Sequence, residues 1–159
     1  MTNTAGYLMP YEDIIIVRSF AEAVKAASTI YKLDICSFME KAVQTDAFAH
    51  FDEDYTLHGQ SPRYIVTTIL DEIGAKGECI SHAKDPEMAE YDGPTAYWMG
   101  YVFMYWKIKE GRDGAYFKNY SVEDIYWAYD TLHTQSVDYA IGCIKEEYEI
   151  RPERTAVCL

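Results

Sequence analysis

The chain has 159 residues, 49% of them apolar in type, and 26 acidic against 14 basic side chains give it a net charge of −12. That apolar share excludes a disordered chain, and the length suits one domain or two interlocked halves with a sizeable core. The negative excess works against direct binding to DNA, RNA or an anionic membrane and favours a basic protein partner.

In chain order, residues 1–10 read as irregular and end at Pro10. From Tyr11 to Tyr31 an apolar stripe of Ile14, Ile15, Val17, Phe20, Ala21, Val24, Ala27 and Ile30 predicts a helix, with Glu12 and Asp13 at its positive end. Asp34 caps a second helix carrying Ile35, Phe38, Met39 and Val43. Thr45 caps a short third one with Ala47, Phe48 and Phe51. After the acidic run Asp52, Glu53, Asp54, the stretch LHGQSP leads into a helix that ends at Gly74. Residues 75–93 read as an acidic, solvated connector, with a short strand or hairpin around GECISHA left open.

Pro94 opens the most apolar segment, PTAYWMGYVFMYWKIKEG, whose side chains cover nearly every direction of a helix. It is shorter than the roughly 18 residues a membrane span needs, and Lys107, Lys109, Glu110 and Arg112 follow, so it predicts a central core helix ended by Gly111. Ser121 caps a helix bringing Ile125, Tyr126 and Tyr129 to the core. The tail RPERTAVCL begins at a proline break and reads as loose.

One stretch occurs twice. Residues 55–73, YTLHGQSPRYIVTTILDEI, align with residues 130–148, DTLHTQSVDYAIGCIKEEY, at a shift of 75. Leu57, His58, Gln60 and Ser61 match Leu132, His133, Gln135 and Ser136, and Tyr64, Ile69 and Glu72 match Tyr139, Ile144 and Glu147. Serine at the start of each apolar stripe predicts an N-cap, the leucine pins the incoming turn, and histidine and glutamine satisfy backbone groups between two helices. The chain therefore reads as all-α: one globular domain, 1–159, built from two diverged helical repeats, 11–74 and 94–149, around an aromatic helix.

No Gly-rich phosphate loop, HExxH or GxSxG is present, so no cofactor and no metal site is expected and the chain is not expected to be an enzyme. Cys36, Cys79, Cys143 and Cys158 are widely spaced without a CxxC pair and read as reduced thiols. The N-terminus has neither a basic leader nor a long apolar run, which points to the cytoplasm.

The stretch Tyr129-Asp130-Thr131-Leu132-His133-Thr134-Gln135-Ser136, with Tyr139 and Ile144 beyond it, resembles a bacterial family of short helical proteins that end in YD-x-LHTQ and a helix. Its members are often encoded beside ADP-ribosyltransferase-like toxins, so the resemblance implies an antitoxin or immunity role. FDEDYTLHGQSPRYIV looks like a diverged copy, with Gly59 in place of the threonine. AYWMGYVFMYWKIKEGRD is similar to a tyrosine- and tryptophan-rich helix in related proteins from gut Firmicutes. The resemblance covers half the chain and carries over no catalytic residue.

The favoured reading is a non-enzymatic protein that binds and neutralises another, probed first at Asp52, Glu53, Asp54, Asp85, Glu87, Glu90 and Asp92. The partner is a toxin, or a nucleic-acid enzyme such as a CRISPR effector whose basic groove is met by carboxylates standing where phosphates would sit. The alternative is a small enzyme or ligand-binding protein using His58 and His133, with Asp54 and Asp130 nearby. A homo-oligomer burying Trp98, Tyr101 or Tyr105 is a third reading, compatible with the first.

Overall fold

Small side chains on one face of the first helix set the packing. The computed structural model describes residues 8–111 and 114–150, and the chain there is all-α. The first half comprises α1 (Tyr11–Thr29), α2 (Ile35–Ala42), α3 (Asp46–Ala49), α4 (Tyr55–His58) and α5 (Pro62–Ala75). After α6 (Pro86–Tyr91) come α7 (Gly93–Glu110), a 3₁₀ helix (Gly114–Asn119), α8 (Val122–Trp127), α9 (Tyr129–Leu132) and α10 (Val137–Glu147). No strand occurs among the described residues; two isolated antiparallel bridges join Leu33 to His82 and Tyr120 to Glu149.

Helices α1 and α7 form the central antiparallel pair. Thr29 and Lys25 of α1 lie against Gly93, and Val24 and Ala21 lie against Gly100. A Cβ on Gly100 would stand 2.8 Å from Val24 Cγ2 and 3.0 Å from the Ala21 Cα, so only glycine permits this approach. The other long helix packed on α1 is α5, through Ile65, Val66, Ile69 and Ile73.

The two halves are joined by rings. Phe20 of α1 meets Phe48 and Phe51 edge-on at 5.4 and 5.2 Å. Phe117 of the 3₁₀ helix meets Phe48 at 5.7 Å, Phe103 at 5.1 Å and Trp106 at 5.0 Å. These rings are essentially sealed from solvent. Burying each stabilises the fold by roughly 1.5–3 kcal/mol, and edge-on geometry adds to that.

The structure differs from the sequence reading at three places. Helix α5 runs through Gly74 to Ala75, and Gly77, at φ +80°, takes the left-handed position. The stretch 75–93 is not a solvated loop throughout: it buries Ile80 and forms α6, capped by Asp85 and holding Ala89 in the core. Around GECISHA there is a single bridge rather than a hairpin. Helix α7 begins at Gly93 and is not buried all round, since Tyr97 and Tyr101 are only partly buried along one face. The tail RPERTAVCL, Arg112 and Cys158 lie outside the described residues.

Candidate functional site

The two LHxQS turns fold alike. Ser61 Oγ accepts the Tyr64 N–H at 3.2 Å, and Ser136 Oγ accepts the Tyr139 N–H at 3.1 Å. Gln60 and Gln135 each donate a backbone N–H to the carbonyl of the buried leucine, Leu57 or Leu132. Both glutamine side chains stand in solvent. Alanine at Ser61 or Ser136 is expected to lower stability by about 1 kcal/mol each, read from denaturant midpoints. Unchanged midpoints would show that the caps contribute nothing.

The histidines diverge. His133 Nδ1 donates to the Tyr129 carbonyl at 2.7 Å, since a carbonyl can only accept, and its ring stacks on Tyr129 at 4.2 Å. His58 packs against Tyr55 and Phe51 at 5.1 and 6.1 Å, and its Nε2 is sealed without a hydrogen-bond partner among the described residues. The His58 carbonyl takes the Ser19 hydroxyl at 2.8 Å. His133 lines a groove beside α1 and α7 that His58 does not reach. Asp130 is exposed, next to Tyr129.

The seven acidic residues singled out in the sequence fall into two groups. Asp52 accepts from the buried Lys107 ammonium at 2.6 Å. Glu53 stands in solvent 3.6 Å from His50. Asp54 caps α4, and its bonds to the Thr56 hydroxyl and N–H hold its carboxyl below the ordinary range. Asp85 caps α6, Glu87 is exposed, and Glu90 lies 3.5 Å from Lys32. Asp92 accepts the Tyr126 hydroxyl at 2.8 Å. Asp52 sits by Lys107 near the end of α7 while Asp92 precedes its first residue, so the groups are separated by roughly 22 Å of helix. They do not form one patch.

Asp85 and Asp92 of the second group, but not Glu87 or Glu90, open onto a cleft of about 470 Å³ between α2, α6 and α8. Asp34, Glu40, Asp85, Asp92 and Glu123 line it, with Lys84 as its one cation among the described residues. On its rim stand two large apolar side chains in solvent, Trp127 at 70% and Met88 at 48% exposure. The crowding of negative charge leaves a chemical trace. Burial first, then Asp34, Glu123, Glu40 and Asp92, pushes the Cys36 thiol up to about 12. Burial also raises Asp92, and repulsion from Asp34 adds to this, against the lowering by the Tyr126 hydrogen bond. Tyr126 in turn is held well above its usual value by burial and by Asp92. A cleft of this kind is suited to a cation with an apolar or planar body, such as a lysine or arginine side chain.

Sequence reasoning singled out Asp85 and Asp92 here but missed Asp34, Glu40, Glu123 and Trp127. For Trp127 a signal existed: Val122 and Ile125 set the buried face of α8, and Trp127 falls off it. For the carboxylates there was none, because they converge from three separate segments.

Cys36, Cys79 and Cys143 are free thiols. Among the described residues no three His, Cys, Asp or Glu side chains are grouped to hold a metal ion, and no helix is long and apolar enough to cross a membrane. Compared with protein-family models, with curated proteins and with solved structures, the chain shows no match.

Proposed function

We propose that this protein is a non-enzymatic binder that neutralises a basic protein, as an antitoxin does or as an inhibitor of a nucleic-acid enzyme does. The observation that carries this reading is the cleft between α2, α6 and α8, lined by five carboxylates and rimmed by exposed Trp127 and Met88, in a chain of net charge −12. An arginine entering there would lay its guanidinium on the indole and offset the repulsion that Asp92 meets from Asp34. Long-range attraction between an acidic and a basic protein would speed their encounter, and salt would weaken it. Mimicry of a nucleic-acid strand would draw on both acidic groups, with the cleft at one end of α7 and Glu53 and Asp54 at the other, where Asp52 is already taken by Lys107.

The test is affinity capture of the tagged protein from its host extract at low and high salt, beside a Trp127→Ala, Glu123→Lys variant. A single basic protein is expected with wild type at low salt, is lost at high salt, and is absent with the variant. The purified partner's own activity should fall when wild type is added. Capture that ignores both salt and variant would remove the cleft from the interface. Retention of a small molecule and no protein would count against neutralisation altogether.

A further inference from the structure

A second concavity lies away from the acidic cleft. It is a groove of about 480 Å³ lined by Pro94, Tyr97, Trp98 and Tyr101 of α7, Tyr129 at the start of α9 and His133 just past its end, and Glu22 and Lys25 of α1. Five of these eight residues present aromatic rings.

The rings hold one another in place. His133 and Tyr129 are parallel at 4.2 Å and tied by the His133 Nδ1 bond, while Trp98 meets Tyr129 edge-on at 5.7 Å. Tyr101 stacks on Tyr105 at 6.2 Å, and the Tyr105 hydroxyl donates to Asp138 at 3.1 Å. The walls are therefore preorganised, which spares a ligand the entropy of ordering them. Pockets of this size, mostly aromatic with a few polar groups, are the usual form of a small-molecule site.

The polar groups decide what fits. Glu22 and Lys25 are neighbours one turn apart on α1, with Cβ atoms roughly 5–6 Å apart. Glu22 and Lys25 are both exposed, and among the described residues neither has an ion-pair partner, not even each other, a state that Lys25 shares with Lys84 and Lys118. The groove thus offers Glu22 and Lys25 side by side over a bed of rings, with the charge of Arg18, also on α1, felt at Tyr97 and Tyr101. A ligand that satisfies Glu22, Lys25 and the rings carries an ammonium, a carboxylate and a planar apolar body on adjoining atoms.

We infer that the groove between α1, α7 and α9 binds a free aromatic α-amino acid, its ring on Tyr97, Tyr101 and Tyr129, its carboxylate on Lys25 and its ammonium on Glu22. The site is separate from the acidic cleft, and makes the protein a binder of a small zwitterion as well as of a protein.

Titration calorimetry with L-tryptophan and L-phenylalanine tests this, with tryptamine and indole-3-propionate as analogues lacking one charge each and L-leucine lacking the ring. Saturable binding of the aromatic amino acids is expected, with each analogue and L-leucine weaker by about tenfold or more. Lys25→Gln should bring tryptophan down to the level of tryptamine and leave tryptamine unchanged. Glu22→Gln should do the same with respect to indole-3-propionate. Both side chains are exposed, so melting temperatures should hold. Absence of saturable binding to wild type at millimolar ligand overturns the assignment. So does equal binding of the two analogues and tryptophan, or indifference to both substitutions.

Discussion

Replacing Asp52 by asparagine is expected to lower the melting temperature by about 10 °C, more than any other acid-to-amide change in the chain. The cause is its partner. The Lys107 side chain is only 7% exposed, and its ammonium meets Asp52 at 2.6 Å and lies 6.0 Å from the Phe48 ring centroid. Removing one member of a buried ion pair strands the other charge in a weakly polar setting, at about 3–5 kcal/mol. Asp52 keeps 25% of its side-chain surface in water, so partial rehydration places the loss nearer about 3 kcal/mol. A companion change to Lys107→Met should restore most of the stability, because methionine fills the same channel without a charge to satisfy. Calorimetric melts of Asp52→Asn and of the double variant decide it. A single variant as stable as wild type would mean that water already reaches Lys107. The result bears on function too: charge reversal at Asp52 would abolish binding by unfolding the chain, so it reveals nothing about an interface.

Helices and their starts were legible in the sequence because both follow from local rules. Asp34, Thr45, Ser61, Ser121 and Ser136 each accept the N–H three residues on, as capping predicts. The apolar stripes of α1, α5 and α10 supply most of the buried faces, but Ile15, Ile30, Tyr64 and Tyr139 of those stripes stand in solvent, and Ile16 rather than Ile15 turns into the core. The all-α architecture with a repeated turn around an aromatic helix followed from these. What local rules could not settle was the choice between Gly74 and Gly77 as terminator, since both follow the same stripe and only the packed chain selects the left-handed one. Nor could they assign roles to acidic residues. Asp52 looked like part of a surface run, yet a lysine far along the chain claims it. Asp85 looked free and is a cap. Tyr97 and Tyr101 looked like core, but α1 covers α7 on one side only and leaves them to line a groove. Candidate sites were the least legible part because each is assembled from distant segments.

Asp92→Asn is expected to move stability and binding in opposite directions. Burial and the Asp34 charge raise the Asp92 carboxyl above its unfolded value, so folding favours the protonated form. The stabilising contribution of that proton is fully present below the ordinary carboxylate value of about 3.9, and is lost as pH rises through the raised folded value. Near neutrality the charged Asp92 therefore works against folding. Asparagine is neutral throughout and its carbonyl oxygen still accepts the Tyr126 hydroxyl, so the variant should melt about 2 °C higher at pH 7. That difference should vanish at pH 3, where wild type carries the proton. If Asp92 is kept charged for the sake of a cationic partner, the same substitution should weaken partner binding about tenfold. Trp127→Ala should weaken it more, about 30-fold, without altering the melt, because a 70% exposed indole contributes little to the core and much to an interface. Melts across pH beside binding titrations of the two variants separate the outcomes. A carboxylate that destabilises the free protein and serves no partner would show the first effect alone, and the cleft would then be a cost of packing α2 against α8.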